Sequence, residues 1–237
     1  MAINTNKGEK IIVSDLRQKI TFSIVESYKN IRTNVISLMK KNDAKTLAIS
    51  SPNASEGKST TALNLAITIS QLGKKVLIID TDTHRPSIHK KLKIDNSTGI
   101  LELITKTATL EETLYAHNEF LDVLTCNNSV PNPSEILSSE VFNNLLEDFK
   151  NQYDYIILDT PPINPVSDAL VIAQKVDLFL MVIRASSTTH DSFKKALKAL
   201  QVLNLKVDGV IINGADPRPK GYYKSKYSYY KSNNYYY

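Results

Sequence analysis

The stretch that decides the fold runs from Thr46 to Leu72. It opens with Thr46-Leu47-Ala48-Ile49-Ser50-Ser51, a short apolar run of strand type. A loop follows, Ser51-Pro52-Asn53-Ala54-Ser55-Glu56-Gly57-Lys58-Ser59-Thr60. From Ser59 the apolar residues Ala62, Leu63, Leu65, Ala66, Ile67, Ile69 and Leu72 recur at helical spacing, and Gly73 is a stop signal. Strand, loop and helix in that order form a phosphate cradle: backbone N–H groups and a helix N-terminus converge on one anion. The loop predicts a nucleotide site built from Glu56, Gly57, Lys58, Ser59 and Thr60. Lys58 neutralises β/γ-phosphate charge and the Ser59 hydroxyl ligates Mg²⁺. The first glycine of GxxxxGK[ST] is absent, and Pro52 stands in its place.

Outward from this stretch the chain alternates. Strand-like runs occur at Val76–Asp80, Phe120–Thr125, Asp154–Asp159, Leu178–Ile183 and Val207–Asn213. Helix-period segments lie between them: one opens at Pro133-Ser134-Glu135 and runs to about Phe149, and another spans Thr189–Leu203. Runs such as Tyr155-Ile156-Ile157-Leu158 lack polar alternation, as strands covered on both faces do. The expected fold is α/β with a mostly parallel central sheet flanked by helices, of P-loop NTPase type. Phe22–Met39 reads as a further helix ahead of the first strand, outside the core pattern.

Two more strand ends carry acids. Val76-Leu77-Ile78-Ile79-Asp80-Thr81-Asp82 places two carboxylates two residues apart at the C-terminal end of a buried strand, the edge where doubly wound sheets bind ligands. A lone acid there reads as a solvated strand end. A pair beside a phosphate loop points to Mg²⁺ and general-base chemistry. Tyr155-Ile156-Ile157-Leu158-Asp159-Thr160-Pro161-Pro162 is an apolar strand ending in Asp, the Walker B pattern, in which Asp159 holds Mg²⁺ directly or through water.

Composition narrows the class. The 237 residues are 42% hydrophobic, enough for a sizeable core without staples. One cysteine, Cys126, excludes an intramolecular disulfide framework and a four-cysteine zinc site, and it reads as a small buried apolar residue. No apolar run reaches spanning length and the first residues lack a signal-type core, which predicts a cytoplasmic protein. His89, His117 and His190 read as surface residues with no ligand spacing. The formal charge of +5 resides in the last 21 residues, which hold five cations and no acid. The basic pI therefore does not imply a nucleic-acid-binding body.

That segment, starting at the breaker Pro217-Arg218-Pro219, also holds eight of the twelve tyrosines: Tyr222, Tyr223, Tyr227, Tyr229, Tyr230, Tyr235, Tyr236 and Tyr237. Its other residues are Lys, Ser, Asn, Gly and the opening Pro and Arg, and it reads as a disordered tail.

Together the three motifs and the tail resemble the bacterial tyrosine kinases of capsule and exopolysaccharide loci, the CpsD/CapB type, over nearly the whole chain from about Glu26. In that family the motifs are Walker A, A′ and B. Asp80 and Asp82 meet the A′ pattern DxDxR; His84 stands where the arginine is expected, and Arg85-Pro86 follows. The resemblance implies an ATP- and Mg²⁺-dependent protein-tyrosine autokinase that phosphorylates its tail tyrosines in trans. Asp80 is then the catalytic base and helps organise Mg²⁺, assisted by Asp82 and Asp159, with Lys58 on the phosphates. Asn213 is implied at the adenine and Arg184 near the base or ribose. Glu26, Lys29 and Arg32 correspond to the family's ExxRxxR subunit-contact motif, Lys29 replacing the middle arginine. The implied organisation is an N-terminal helical oligomerisation segment (1–45), a kinase domain (46–216) and the tyrosine tail (217–237).

The resemblance also implies partners: a ring of identical subunits, a transmembrane polysaccharide co-polymerase that activates the kinase, protein tyrosine substrates and a cognate tyrosine phosphatase, with no nucleic acid. It places the protein at the inner face of the plasma membrane through that partner. Two other readings use the same nucleotide site. One is an ATP switch of the MinD/ParA kind, whose signature lysine is replaced here by Asn53. The other is an ATP-dependent adaptor without kinase activity.

Overall fold

A computed structural model describes residues 2–4, 10–12, 18–127 and 132–215. The tyrosine tail and its opening prolines lie outside the described residues. A short antiparallel pair, β1 (Ala2–Asn4) with β2 (Lys10–Ile12), precedes a long helix, α1 (Gln18–Lys41). The body then alternates: β3 (Thr46–Ser50), α2 (Lys58–Ser70), β4 (Val76–Asp80), α3 (Ile88–Leu92), α4 (Ile100–Ile104), α5 (Leu110–Thr113), β5 (Leu114–Asn118), β6 (Leu121–Leu124), α6 (Pro133–Ser138), α7 (Glu140–Gln152), β7 (Tyr155–Asp159), α8 (Asp168–Ala173), β8 (Leu178–Arg184), α9 (His190–Val202) and β9 (Gly209–Asn213).

The main sheet has seven strands in the order β5-β6-β4-β7-β3-β8-β9. All neighbours are parallel except β5, which runs antiparallel to β6 at one edge. Successive side chains of a strand face opposite sides, so each central strand supplies two cores. Ala48, Leu77, Ile79, Leu124, Ile156, Leu158, Phe179 and Met181 pack on one face beneath α4 and α6 to α9. Leu47, Ile49, Val76, Ile78, Leu121, Val123, Ile157, Leu180 and Val182 pack on the other beneath α1, α2 and α3. The central strands β3, β4 and β7 are buried at every position, and their near-continuous apolar runs follow from neither face meeting water.

Three sequence expectations need adjustment. The helix expected from Pro133 to about Phe149 is two helices: Ser139 is extended, with ψ at 157°, and its hydroxyl accepts the Phe142 N–H to start α7. The antiparallel edge strand β5 lies outside the sequence expectation, since it is only partly buried and its Leu-Tyr-Ala is too short a run before His117 and Asn118 to mark a strand. Finally α1 is not peripheral to the packing, because Val35 and Met39 are fully part of the second core. Cys126 is buried and reduced, as expected. His89 is mostly buried rather than a surface residue, and among the described residues its Nδ1 has no hydrogen-bond partner.

Candidate active site

The parallel strands bring their C-terminal ends to one edge of the sheet, and the three motifs meet there. β3 feeds the phosphate loop, β4 ends in Asp80 and β7 ends in Asp159. Register does the positioning: Ile49 pairs with Asp159, and Asp159 pairs with Asp80. Strands adjacent in the sheet lie about 4.8 Å apart. Two carboxylates are thereby held as lateral neighbours in a dry interior, both fully buried.

The loop turns into α2 at Gly57, whose φ is +103°. A side chain there is doubly excluded. The left-handed conformation disfavours a Cβ, and one would lie 2.1 Å from the Asn213 amide nitrogen. That amide donates to Glu56 O at 2.9 Å, and Arg184 Nη1 donates to Ser55 O at 3.2 Å. Arg184 and Asn213 are register partners at the ends of β8 and β9. They line the cleft and also brace the loop backbone. The Glu56 carboxylate faces inward to the loop, accepting from Asn53 N and Nδ2 and from the Thr188 hydroxyl. Asn53 also donates to Ser192 Oγ at 2.6 Å, and Asn164 donates to Asn53 Oδ1 at 3.3 Å and to Ser192. The residue standing where the switch ATPases carry a lysine is thus bound up inside its own subunit.

Lys58 is almost completely buried. Its ammonium lies 2.7 Å from Asp82 Oδ2, 3.6 Å from Asp159 Oδ1 and 3.1 Å from the Ser59 hydroxyl. Burial alone would lower its pKa, but Asp159, Asp82 and Asp80 hold it above the ordinary lysine value. Asp80 accepts the Asp82 N–H on one oxygen and the Ser87 and Ile88 N–H groups on the other. Burial, and then the charge of Asp159, push its pKa up to about 7 despite those amides. Asp82, rather than Asp80, lines the cleft itself. Asp159 is also raised by burial, with Lys58 and the nearby Ser59 hydroxyl drawing it back down. Among the described residues, neither of its carboxylate oxygens has a hydrogen-bond donor in bonding geometry.

A buried carboxylate without donors, beside a serine hydroxyl and two further aspartates, suits a hard cation. Among the described residues no three His, Cys, Asp or Glu side chains form a cage. Mg²⁺ does not need one: it takes one or two carboxylates plus phosphate oxygens and keeps waters. Ser59, Asp80, Asp82 and Asp159 therefore fit Mg²⁺. The cleft above them is about 920 Å³, enough for a nucleotide, and extends from the loop to Tyr28 and Ile31 of α1.

Two residues here escaped the sequence reading. Lys91 on α3 donates to Thr60 Oγ1 at 2.9 Å. Asp168 at the start of α8 is buried and accepts from Ser134, Thr83 and His84, tying the A′ loop to α6 and α8. No local pattern marks either residue, because their partners are 31 and 34 or more positions away. On α1, Glu26 and Lys29 pair with each other at 2.7 Å and are partly exposed, whereas Arg32 donates to Thr68 O of α2.

The fold and site define a P-loop nucleotide-binding domain whose carboxylates are disposed for phosphoryl transfer. The AAA_31 family, described as an AAA domain, matches residues 44–208. Tyrosine-protein kinase YwqD of Bacillus subtilis (strain 168) is 36% identical over 233 residues, covering 95% of this chain and 98% of that relative. Tyrosine-protein kinase CpsD of Streptococcus agalactiae serotype III (strain NEM316) is 36% identical over 207 residues, 86% of this chain and 87% of its own length. Among solved structures, the kinase domain of Escherichia coli tyrosine kinase ETK is 30% identical with a TM-score of 0.78, over 84% of this chain and 78% of that one. The chain belongs to the bacterial tyrosine-protein kinases, and it is a protein-tyrosine kinase. The MinD/ParA-like and adaptor readings are correspondingly less supported.

Proposed function

We propose that this kinase transfers the γ-phosphate of Mg-ATP to tyrosines of the segment Tyr222–Tyr237 on a neighbouring subunit, and that this controls capsular or exopolysaccharide synthesis and export. The observation that carries the reading is the convergence of Lys58, Ser59, Asp80, Asp82 and Asp159 on the end of one phosphate loop, in a chain of this family. Lys58 and the loop amides bind the β/γ-phosphates. Ser59, Asp159 and the A′ aspartates hold Mg²⁺, which supplies charge neutralisation on the transferred group. Arg184 and Asn213 meet the nucleoside side of the cleft while bracing the loop.

A tyrosine hydroxyl with a pKa near 10 is a poor nucleophile at neutral pH unless a base takes its proton. Asp80, poised near 7, is that base. The tyrosine oxygen bonds to the γ-phosphorus, the bond from γ-phosphorus to the bridging oxygen breaks, the phenolic proton passes to Asp80, and ADP leaves. The loop carrying Ser87 and Ile88 shifts to free an Asp80 oxygen for this. Phosphate binding displaces Asp82 from Lys58.

Subunits assemble into a ring through Glu26, Lys29 and Arg32. Among the described residues no helix is long and apolar enough to cross a membrane. On the strength of the family resemblance, a transmembrane activator recruits the kinase to the inner face of the plasma membrane, and a cognate phosphatase reverses the modification.

The test is incubation of the full chain with Mg-ATP, with and without the activator's cytoplasmic segment, followed by phosphosite mapping by mass spectrometry. Phosphotyrosine between Tyr222 and Tyr237, absent in Lys58→Met and Asp80→Ala, is expected. ATP hydrolysis without phosphotyrosine, even with the activating segment, would favour the ATPase switch instead.

A further inference from the structure

Among the described residues, Lys91 is a cation of this cleft with no carboxylate of its own. The turn that carries it is set by Asp80, which accepts the Ser87 and Ile88 N–H groups where α3 begins; the Lys91 N–H then bonds Ser87 O. From there the side chain crosses to the first turn of α2 and donates to Thr60 Oγ1 at 2.9 Å. It lines the same cleft as Lys58, Ser59 and Asp82. Lys58 is shared between Asp82 and Asp159, but among the described residues no carboxylate comes within 4.0 Å of the Lys91 ammonium.

An ammonium has three donors, and a hydroxyl engages one of them. Partly buried cations are ordinarily paired, because desolvation disfavours the charge. Burial indeed lowers the Lys91 pKa, and Lys58 lowers it further, while Asp159 and Asp80 act in the opposite direction. Lys91 thus stands in the field of the reacting centre, tethered to the helix that opens the phosphate loop, with donors available to an incoming anion.

We propose that Lys91 is a second phosphate-contacting cation of this site, passing from the Thr60 hydroxyl onto the phosphate chain of ATP when nucleotide binds. This rests on the kinase reading of the cleft. It adds a contact from α3, outside the phosphate-loop motif.

The experiment is calorimetric titration of the full chain with the Mg²⁺ complex of the non-hydrolysable analogue AMPPNP, a binding readout independent of turnover. Wild type is compared with Lys91→Met, Lys91→Gln and Lys91→Arg, with thermal melts of each. A charge-assisted contact predicts that Lys91→Met and Lys91→Gln bind about ten-fold or more weakly, and that Lys91→Arg recovers most of the affinity. Lys91→Gln can still donate to Thr60, so it also serves if Lys91→Met does not fold. Wild-type-like affinity in either neutral variant overturns the proposal, as does full recovery by Gln, which would make Lys91 only a brace for α2. Failure of the wild type to bind overturns the nucleotide site itself, and the proposal with it.

Discussion

At the scale of residues, the site is a negotiation between buried charges. Three aspartates and one enclosed lysine share a volume where desolvation penalises each of them. Asp80 shows the consequence most clearly. Its pKa near 7 in the folded state lies above the ordinary carboxylate value near 4 expected when unfolded. Between those values the folded protein retains a proton that the unfolded chain has lost. The stabilising contribution is complete below about pH 4 and disappears as pH rises through about 7. Asp80→Asn turns an amide NH2 toward backbone N–H groups that the carboxylate accepted, a cost that does not vary with pH, so in the absence of Mg²⁺ and nucleotide its stability relative to wild type should rise by on the order of 2 kcal/mol from pH 4.5 to 7.5, while phosphotransfer is abolished. Thermal melts from pH 4.5 to 8 check this: the difference between variant and wild type should grow with pH, and a pH-independent difference would refute it.

At the scale of elements, the decisive contact is α1 on α2. The residues proposed as subunit contacts, Glu26, Lys29 and Arg32, sit on a helix that is simultaneously core. Met39 is fully buried and Val35 nearly so, and Arg32 reaches a carbonyl of α2. Met39→Ala should cost about 2–5 kcal/mol in denaturant unfolding, within the range of large-to-small core changes. A cost under about 0.5 kcal/mol would show α1 to be dispensable packing. Because α1 also walls the cleft through Tyr28 and Ile31, loss of this helix would be felt at the nucleotide site. The phosphate loop is likewise not a free loop: Asn53, Glu56, Asn164, Thr188 and Ser192 lock it to the start of α9 and to the segment after β7.

At the scale of the whole molecule, charge is divided between a formally neutral body and a tail of +5. Each tyrosine phosphate adds about −1.5 to −2, so eight would take the tail to roughly −7 to −11. A basic segment turned strongly acidic is repelled by the equally modified segments of neighbouring subunits. Phosphorylation should accordingly loosen the assembly. Light scattering on phosphorylated and unphosphorylated samples tests this, and equal particle size in the two would sink it.

Much of this was legible in the chain because parallel strands buried on both faces write themselves as uninterrupted apolar runs. Each run here ends at the site: Ser50 before the loop, Asp80 after β4, Asp159 after β7. The loop's Gly-Lys-Ser and the tyrosine cluster are local signals of the same kind. Strand order, the exposed strand β5, the break at Ser139 and the convergence of Lys91 and Asp168 were not legible. Each depends on which elements become neighbours, and neighbours are chosen by packing over distances that local periodicity does not encode. The sequence by itself determined the parallel strands of the core, the helix after the phosphate loop, the loop itself and the aspartates; only the tertiary structure decided that Asp80 and Asp159 stand side by side. Enclosure at one dry sheet edge penalises the Asp80 charge first by desolvation and then through Asp159 beside it, which together push its pKa up to about 7.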